Sequence, residues 1–119
     1  MHTVITFFWT TMVITAIVVL HSVALNLVYA GDQTSKNHTV EIRDLGFKPN
    51  ELEVSPGDTI TWINYDIVPH TATSDDESWD SGLIAQDGKW QSVVKEDMMT
   101  SYFCRYHPTM KATLKINKK

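Results

Sequence analysis

The sequence holds one cysteine, Cys104, so no disulfide can form within the chain. It has no basic excess. Its 10 Lys and Arg stand against 14 Asp and Glu, for a formal net charge of -4. That balance argues against nucleic acid as the main partner. Residues 1–30 contain no Lys, Arg, Asp or Glu, so every charge lies in residues 31–119. Beyond residue 30 there is no convincing helical periodicity, no internal repeat and no low-complexity tract. Residues 31–119 are enough for one modest core and one domain.

The uncharged start reads as a targeting segment. From Val4 to Leu20 the chain is apolar or small, broken only by Thr; polar His21 and Ser22 follow. Val28-Tyr29-Ala30 puts small or branched residues where a signal peptidase reads, just before Gly31-Asp32-Gln33. The positive charge that normally precedes such a run is missing, and the run is long enough to span a bilayer. Residues 1–30 are therefore expected to be a signal peptide or an uncleaved membrane-anchor helix. Either way residues 31–119 lie outside the cytoplasm, in the periplasm or its equivalent, membrane-anchored if no cleavage occurs.

From Val40 onward the chain alternates with period two, the signature of strands. Val40 and Ile42 face one way, Glu41 and Arg43 the other. Leu52 and Val54 alternate with Glu51 and Glu53, and Ile60 and Trp62 with Thr59, Thr61 and Ile63. Another run extends from Trp90 to Val94. Tyr102 and Cys104 share a face; so do Ala112, Leu114 and Ile116. Ser55-Pro56-Gly57-Asp58 carries Pro then Gly at its centre, as a type II turn requires. Ser81-Gly82 and Asp87-Gly88 mark further breaks. Several short strands at close spacing predict an all-β sandwich or barrel, with Trp62 and Trp90 in its core and Trp79 half-packed under a loop.

One segment carries chemistry. Cys104-Arg105-Tyr106-His107-Pro108-Thr109-Met110 reads C-x2-H-x2-M at the end of a predicted strand. A thiolate, an imidazole and a thioether thus sit on one tight loop. Val68-Pro69-His70-Thr71 offers a second imidazole at the end of another strand. Taken singly, a buried Cys is usually a small hydrophobe and a Met usually core. Taken together, the set suits copper. Cu(I) favours sulfur, Cu(II) favours imidazole nitrogen, and two His, one Cys and a weak axial Met serve both states. Zinc would use the same nitrogen and thiolate donors, but a thioether is a poor zinc ligand. Met98 and Met99, in a turn between strands, are weaker candidates than Met110 for the axial place.

These residues carry a family resemblance. Phe47-Lys48-Pro49, the run Val54 to Asn64, Val68-Pro69-His70, Ser81-Gly82 and Cys104 to Lys111 resemble the plastocyanin/azurin family of cupredoxins, and most closely its amicyanin-like branch. The resemblance spans residues 38–117. It implies a cupredoxin domain over 31–119 with an eight-stranded Greek-key β-sandwich. It implies one copper ion near one end, with His70, Cys104 and His107 as strong ligands and Met110 as the axial one. It also implies an apolar patch around the His107 edge, to which Pro69 and Pro108 would contribute.

The expected function is that of a monomeric type 1 blue copper protein, a one-electron carrier. Redox proteins such as a dehydrogenase or a c-type cytochrome are its expected partners. No enzymatic activity is expected, because four protein ligands leave no good open position. The alternative is a copper storage or delivery module. One departure from the family stands at Thr71, where Asn is usual. A hydroxyl is shorter than a side-chain amide, so the tie between the two ligand loops is expected to weaken. The acidic stretch Asp75-Asp76-Glu77-Ser78-Trp79-Asp80 is either a solvated loop or a docking patch for a basic partner. Arg105 and Lys111, flanking the ligand loop, would work against a purely acidic docking face.

Overall fold

The computed structural model describes residues 34–117. The expected signal or anchor helix at residues 1–30 lies outside them. The described residues form eight strands and no α-helix. These are β1 (Asn37–Arg43), β2 (Gly46–Lys48), β3 (Glu51–Val54), β4 (Thr59–Asn64), β5 (Thr73–Ser74), β6 (Lys89–Val93), β7 (Ser101–Phe103) and β8 (Lys111–Ile116). They make two four-stranded sheets, in the orders β2-β1-β4-β6 and β3-β8-β7-β5. The all-β sandwich expected from the alternating pattern is borne out.

The pattern works because each strand has one apolar face to bury. Val40 and Ile42 from β1, Ile60 and Trp62 from β4, and Tyr102 and Leu114 from the second sheet are each no more than 1% exposed. Burying an aliphatic side chain of this size contributes about 1.5–3 kcal/mol. Trp62 is the hub of the filling. Its ring lies 5.1 Å from Trp90, 5.8 Å from Trp79 and 5.8 Å from Tyr102, the last edge-on. Trp90 is only half-buried, against the expectation that it lies in the core. It packs on the core from the first sheet's edge strand, where water reaches one side. Trp79 is half-buried as expected, its indole N–H donating to the Met99 carbonyl at 3.0 Å.

Two pairings are parallel: β1 with β4, and β3 with β8. The chain therefore crosses between the sheets before it returns beside an earlier strand. The Ser55–Asp58 turn makes one crossing. Asp58 N–H donates to the Ser55 carbonyl at 3.0 Å, and Gly57 takes φ 93°, which a residue with a Cβ rarely adopts. Asp58 is buried, and its carboxylate accepts backbone N–H groups of Lys36 and Ser55 and a ring nitrogen of His38, all at 2.8–2.9 Å. Burial works to raise its pKa, but these donors outweigh it and hold the carboxyl down at about 2.

Candidate metal centre

Two loops at strand ends meet here. β4 stops at Asn64, whose buried side chain organises the loop after it. Its amide donates to the Val68 and Ile84 carbonyls at 2.9 and 3.0 Å, and its Oδ1 accepts the Asp66 N–H at 2.9 Å. Wound around that amide, the loop delivers His70. A two-way backbone bridge to Ile84 then pins it, at 3.1 and 2.8 Å. The second is the loop between β7 and β8. His107 N–H donates to the Cys104 carbonyl (3.2 Å) and Met110 N–H to the His107 carbonyl (2.8 Å). Cys104 N–H donates to the Met110 carbonyl (3.1 Å). Two successive turns closed by a return bond thus fix the C-x2-H-x2-M segment.

The side chains converge. Cys104 Sγ lies 3.6 Å from His70 Nδ1 and 3.7 Å from His107 Nδ1. The donor atoms of His70, Cys104 and His107 all fall within 4.8 Å of one another. His70 and Cys104 are fully buried, Met110 is 4% exposed within the core, and His107 is half-buried. A first-row ion sits about 2.05 Å from imidazole nitrogen and about 2.3 Å from thiolate sulfur. With angles between tetrahedral and trigonal, that places sulfur and nitrogen about 3.6–3.8 Å apart. The observed spacings match, so the residues fit a single ion held by one sulfur and two nitrogens. That donor set, with a buried thioether beside it on the same loop, is the one copper favours.

Three features surround the donors, the first two not read from sequence. Asp66 Oδ2 lies 2.9 Å from His70 Nε2 and accepts the Leu45 N–H at 3.1 Å; Oδ1 accepts the Asp44 N–H at 2.9 Å. Burial works to raise the Asp66 pKa, but the Leu45 and Asp44 donors and His70 outweigh it and keep the carboxyl below its usual range. Second, Arg105 pairs with Asp80 Oδ2 at 2.8 Å and Glu77 Oε1 at 3.1 Å, clamping the ligand loop to the acidic stretch. Third, Thr71 does tie the two ligand loops. Its Oγ1 accepts the Arg105 N–H at 2.9 Å and bonds Thr73 Oγ1 at 2.9 Å; its N–H reaches Cys104 Sγ at 3.4 Å. The hydroxyl spans the gap because β5 pairs with β7 directly, Thr73 opposite Phe103, so it has little distance to cover.

Several apolar side chains close to the donors in sequence are exposed. Ile67 is 80% exposed, Leu83 60% and Tyr106 51%; Val68, Pro69 and Pro108 are exposed with them. Each lies within a few residues of His70, of its bridge partner Ile84, or of His107.

Comparison with known proteins places this geometry. The family model described as copper binding proteins, plastocyanin/azurin family, matches residues 34–117. Among solved structures, the Cu(I) form of the M98A mutant of amicyanin superposes with TM-score 0.61 at 22% identity, over 68% of this chain and 82% of that one. The purple cupredoxin from Nitrosopumilus maritimus gives 0.62 at 23%, over 67% of this chain and 99% of that one. The copper-containing nitrite reductase from Thermus scotoductus SA-01 gives 0.62 at 19%, this chain spanning 23% of the enzyme's length. A search of curated protein sequences found no match.

Proposed function

Because the chain belongs to the plastocyanin/azurin family of copper-binding proteins, we propose that it is a type 1 blue copper protein that carries single electrons between redox partners outside the cytoplasm. His70, Cys104 and His107 are its strong ligands and Met110 its axial one. The convergence of Cys104 Sγ with two Nδ1 atoms at single-ion spacing carries the reading. Bound there, copper would supply a one-electron couple.

The protein's contribution is to hold the donors still. Cys104 and Met110 sit in the core, His70 is bridged to Ile84, and the ligand loop is closed by its own backbone bonds. Donors so fixed need little rearrangement when charge changes. His107, half-buried and flanked in sequence by exposed Tyr106 and Pro108, is the most exposed of the four donors and is the edge through which electrons would pass. The apolar surface beside it suits brief contact with a redox protein such as a dehydrogenase or c-type cytochrome. Residues 31–119 form the carrier domain, and residues 1–30 export it or anchor it to the membrane. Four protein ligands would leave the ion no good open position for a substrate, which favours a carrier over an enzyme.

Copper-loaded protein should be intensely blue, with one copper per chain and a reversible one-electron wave in voltammetry. Cys104→Ser should abolish the colour, because a hydroxyl is a far weaker donor than a thiolate. Tight copper binding without a reversible wave would favour storage or delivery instead. Bleaching by small anions would reveal an open position and an enzyme.

A further inference from the structure

Asp66 does more than cap a turn. Its carboxylate meets three donors: the backbone N–H groups of Asp44 and Leu45, and the Nε2 of His70. Asp44 and Leu45 both take left-handed backbone conformations, φ 52° and 53°, and present their N–H groups to it side by side. Neither is glycine, and non-glycine residues adopt this region at a cost. An ionised carboxylate only accepts hydrogen bonds, so His70 must carry its proton on Nε2. In the neutral ring Nδ1 then has a free lone pair, and Nδ1 is the atom that faces Cys104. The His70 side chain is fully buried and that of Asp66 is 18% exposed, so water has little part in the contact.

We propose that Asp66 is a positioning residue for the metal centre: braced by the β1–β2 turn, its carboxylate fixes the His70 tautomer, aims Nδ1 at the metal position and lowers the reduction potential. The inference rests on the copper reading above and deepens it. A carboxylate on the far nitrogen makes the near nitrogen a stronger donor, and losing such a partner typically costs 10–100-fold in metal affinity. The more electron-poor Cu(II) gains more from a stronger donor than Cu(I) does, so the couple shifts toward the oxidised form. A side-chain amide cannot substitute. With three donors facing it, an Asn would turn its own NH2 against one of them.

The test has two arms. In copper-free protein, nitrogen NMR of the His70 ring should show the Nε2-protonated tautomer alone in the wild type, and a second tautomer in Asp66→Asn. In copper-loaded protein, Asp66→Asn should weaken Cu(II) at least tenfold more than Cu(I). That ratio raises the potential by about 59 mV or more for a one-electron couple. Asp66→Glu keeps the charge and should fall between the two. An unchanged potential in Asp66→Asn, or a mixture of tautomers in the wild type, overturns the proposal. Should Asp66→Asn fail to fold, the wild-type tautomer and the Asp66→Glu potential still decide. A wild type that never forms a blue site sinks the copper reading, while the metal-free arm judges the clamp by itself.

Discussion

At the scale of single residues, the ligand motif was legible because three of its members share one short loop. Cys104, His107 and Met110 are held by bonds within seven residues, and local spacing is what a sequence displays. Asp66 was not legible. It sits four residues before His70, but its role depends on the Asp44–Leu45 turn, which arrives from another strand pair. That the Thr71 hydroxyl reaches the other ligand loop was not legible for a related reason: the reach it needs is set by how β5 lies against β7, a long-range fact. Its hydroxyl accepts the Arg105 N–H in a setting where Thr71 itself is 2% exposed. Thr71→Val keeps the shape and strands that N–H, so it should destabilise the copper-free protein by about 1–3 kcal/mol. Thr71→Ser keeps the acceptor and should cost less. Urea unfolding of the three proteins checks this, and equal stability of the Val and Ser variants would deny the hydroxyl its role as a latch.

At the scale of elements, the strands with strict alternation were readable, and β2 and β5 were not. These two are three and two residues long and show no alternation, whereas β7, also three residues, was readable because its alternation runs on to Cys104. The Ser55–Asp58 turn was readable from Pro56 and Gly57, but the burial of Asp58 beneath it was not. That carboxyl is held at about 2, below its ordinary 3.8, so the folded form is favoured when it is ionised. Its contribution to stability is complete above the unfolded value and is lost as pH falls from about 4 through about 2. In copper-free protein, the stability gap between wild type and Asp58→Asn should therefore shrink over that window. A gap independent of pH would refute the assignment.

The acidic stretch belongs to this scale too. Two of its carboxylates, Glu77 and Asp80, are already paired with Arg105, leaving Asp75 and Asp76 as its exposed unpaired charge. Reaction with a cationic inorganic oxidant should thus depend only weakly on salt. Arg105→Gln frees both carboxylates and should steepen the dependence. A wild type with steep dependence that the variant does not change would restore the acidic docking patch.

At the scale of the whole molecule, most of the core is built from side chains that offer a metal no donor. Val40, Ile42, Ile60, Trp62 and Leu114 are apolar and share one cluster with Cys104 and Met110. The copper-free protein should keep its β-sheet circular dichroism. Copper at 100-fold above its dissociation constant should then add about 2.7 kcal/mol by binding only the folded form. A metal-free chain that is unfolded would contradict this and make the ion a structural element. The parallel pairing of β3 with β8 carries a different consequence, about time. Glu51 has to wait for Thr113 before the second sheet can close, and the C-terminal strand also completes the hydrogen bonding of β7. A chain emerging N-terminus first can assemble β1, β2, β4 and β6 early, but it cannot finish its second layer until β8 has emerged. Closing loops of that length comes before any reward from the contacts they make, which puts folding in the slow range of milliseconds to seconds. The loop bearing Cys104, His107 and Met110 lies between β7 and β8, the last of the eight described strands to arrive, so the thiol stays open to its surroundings until the second sheet closes.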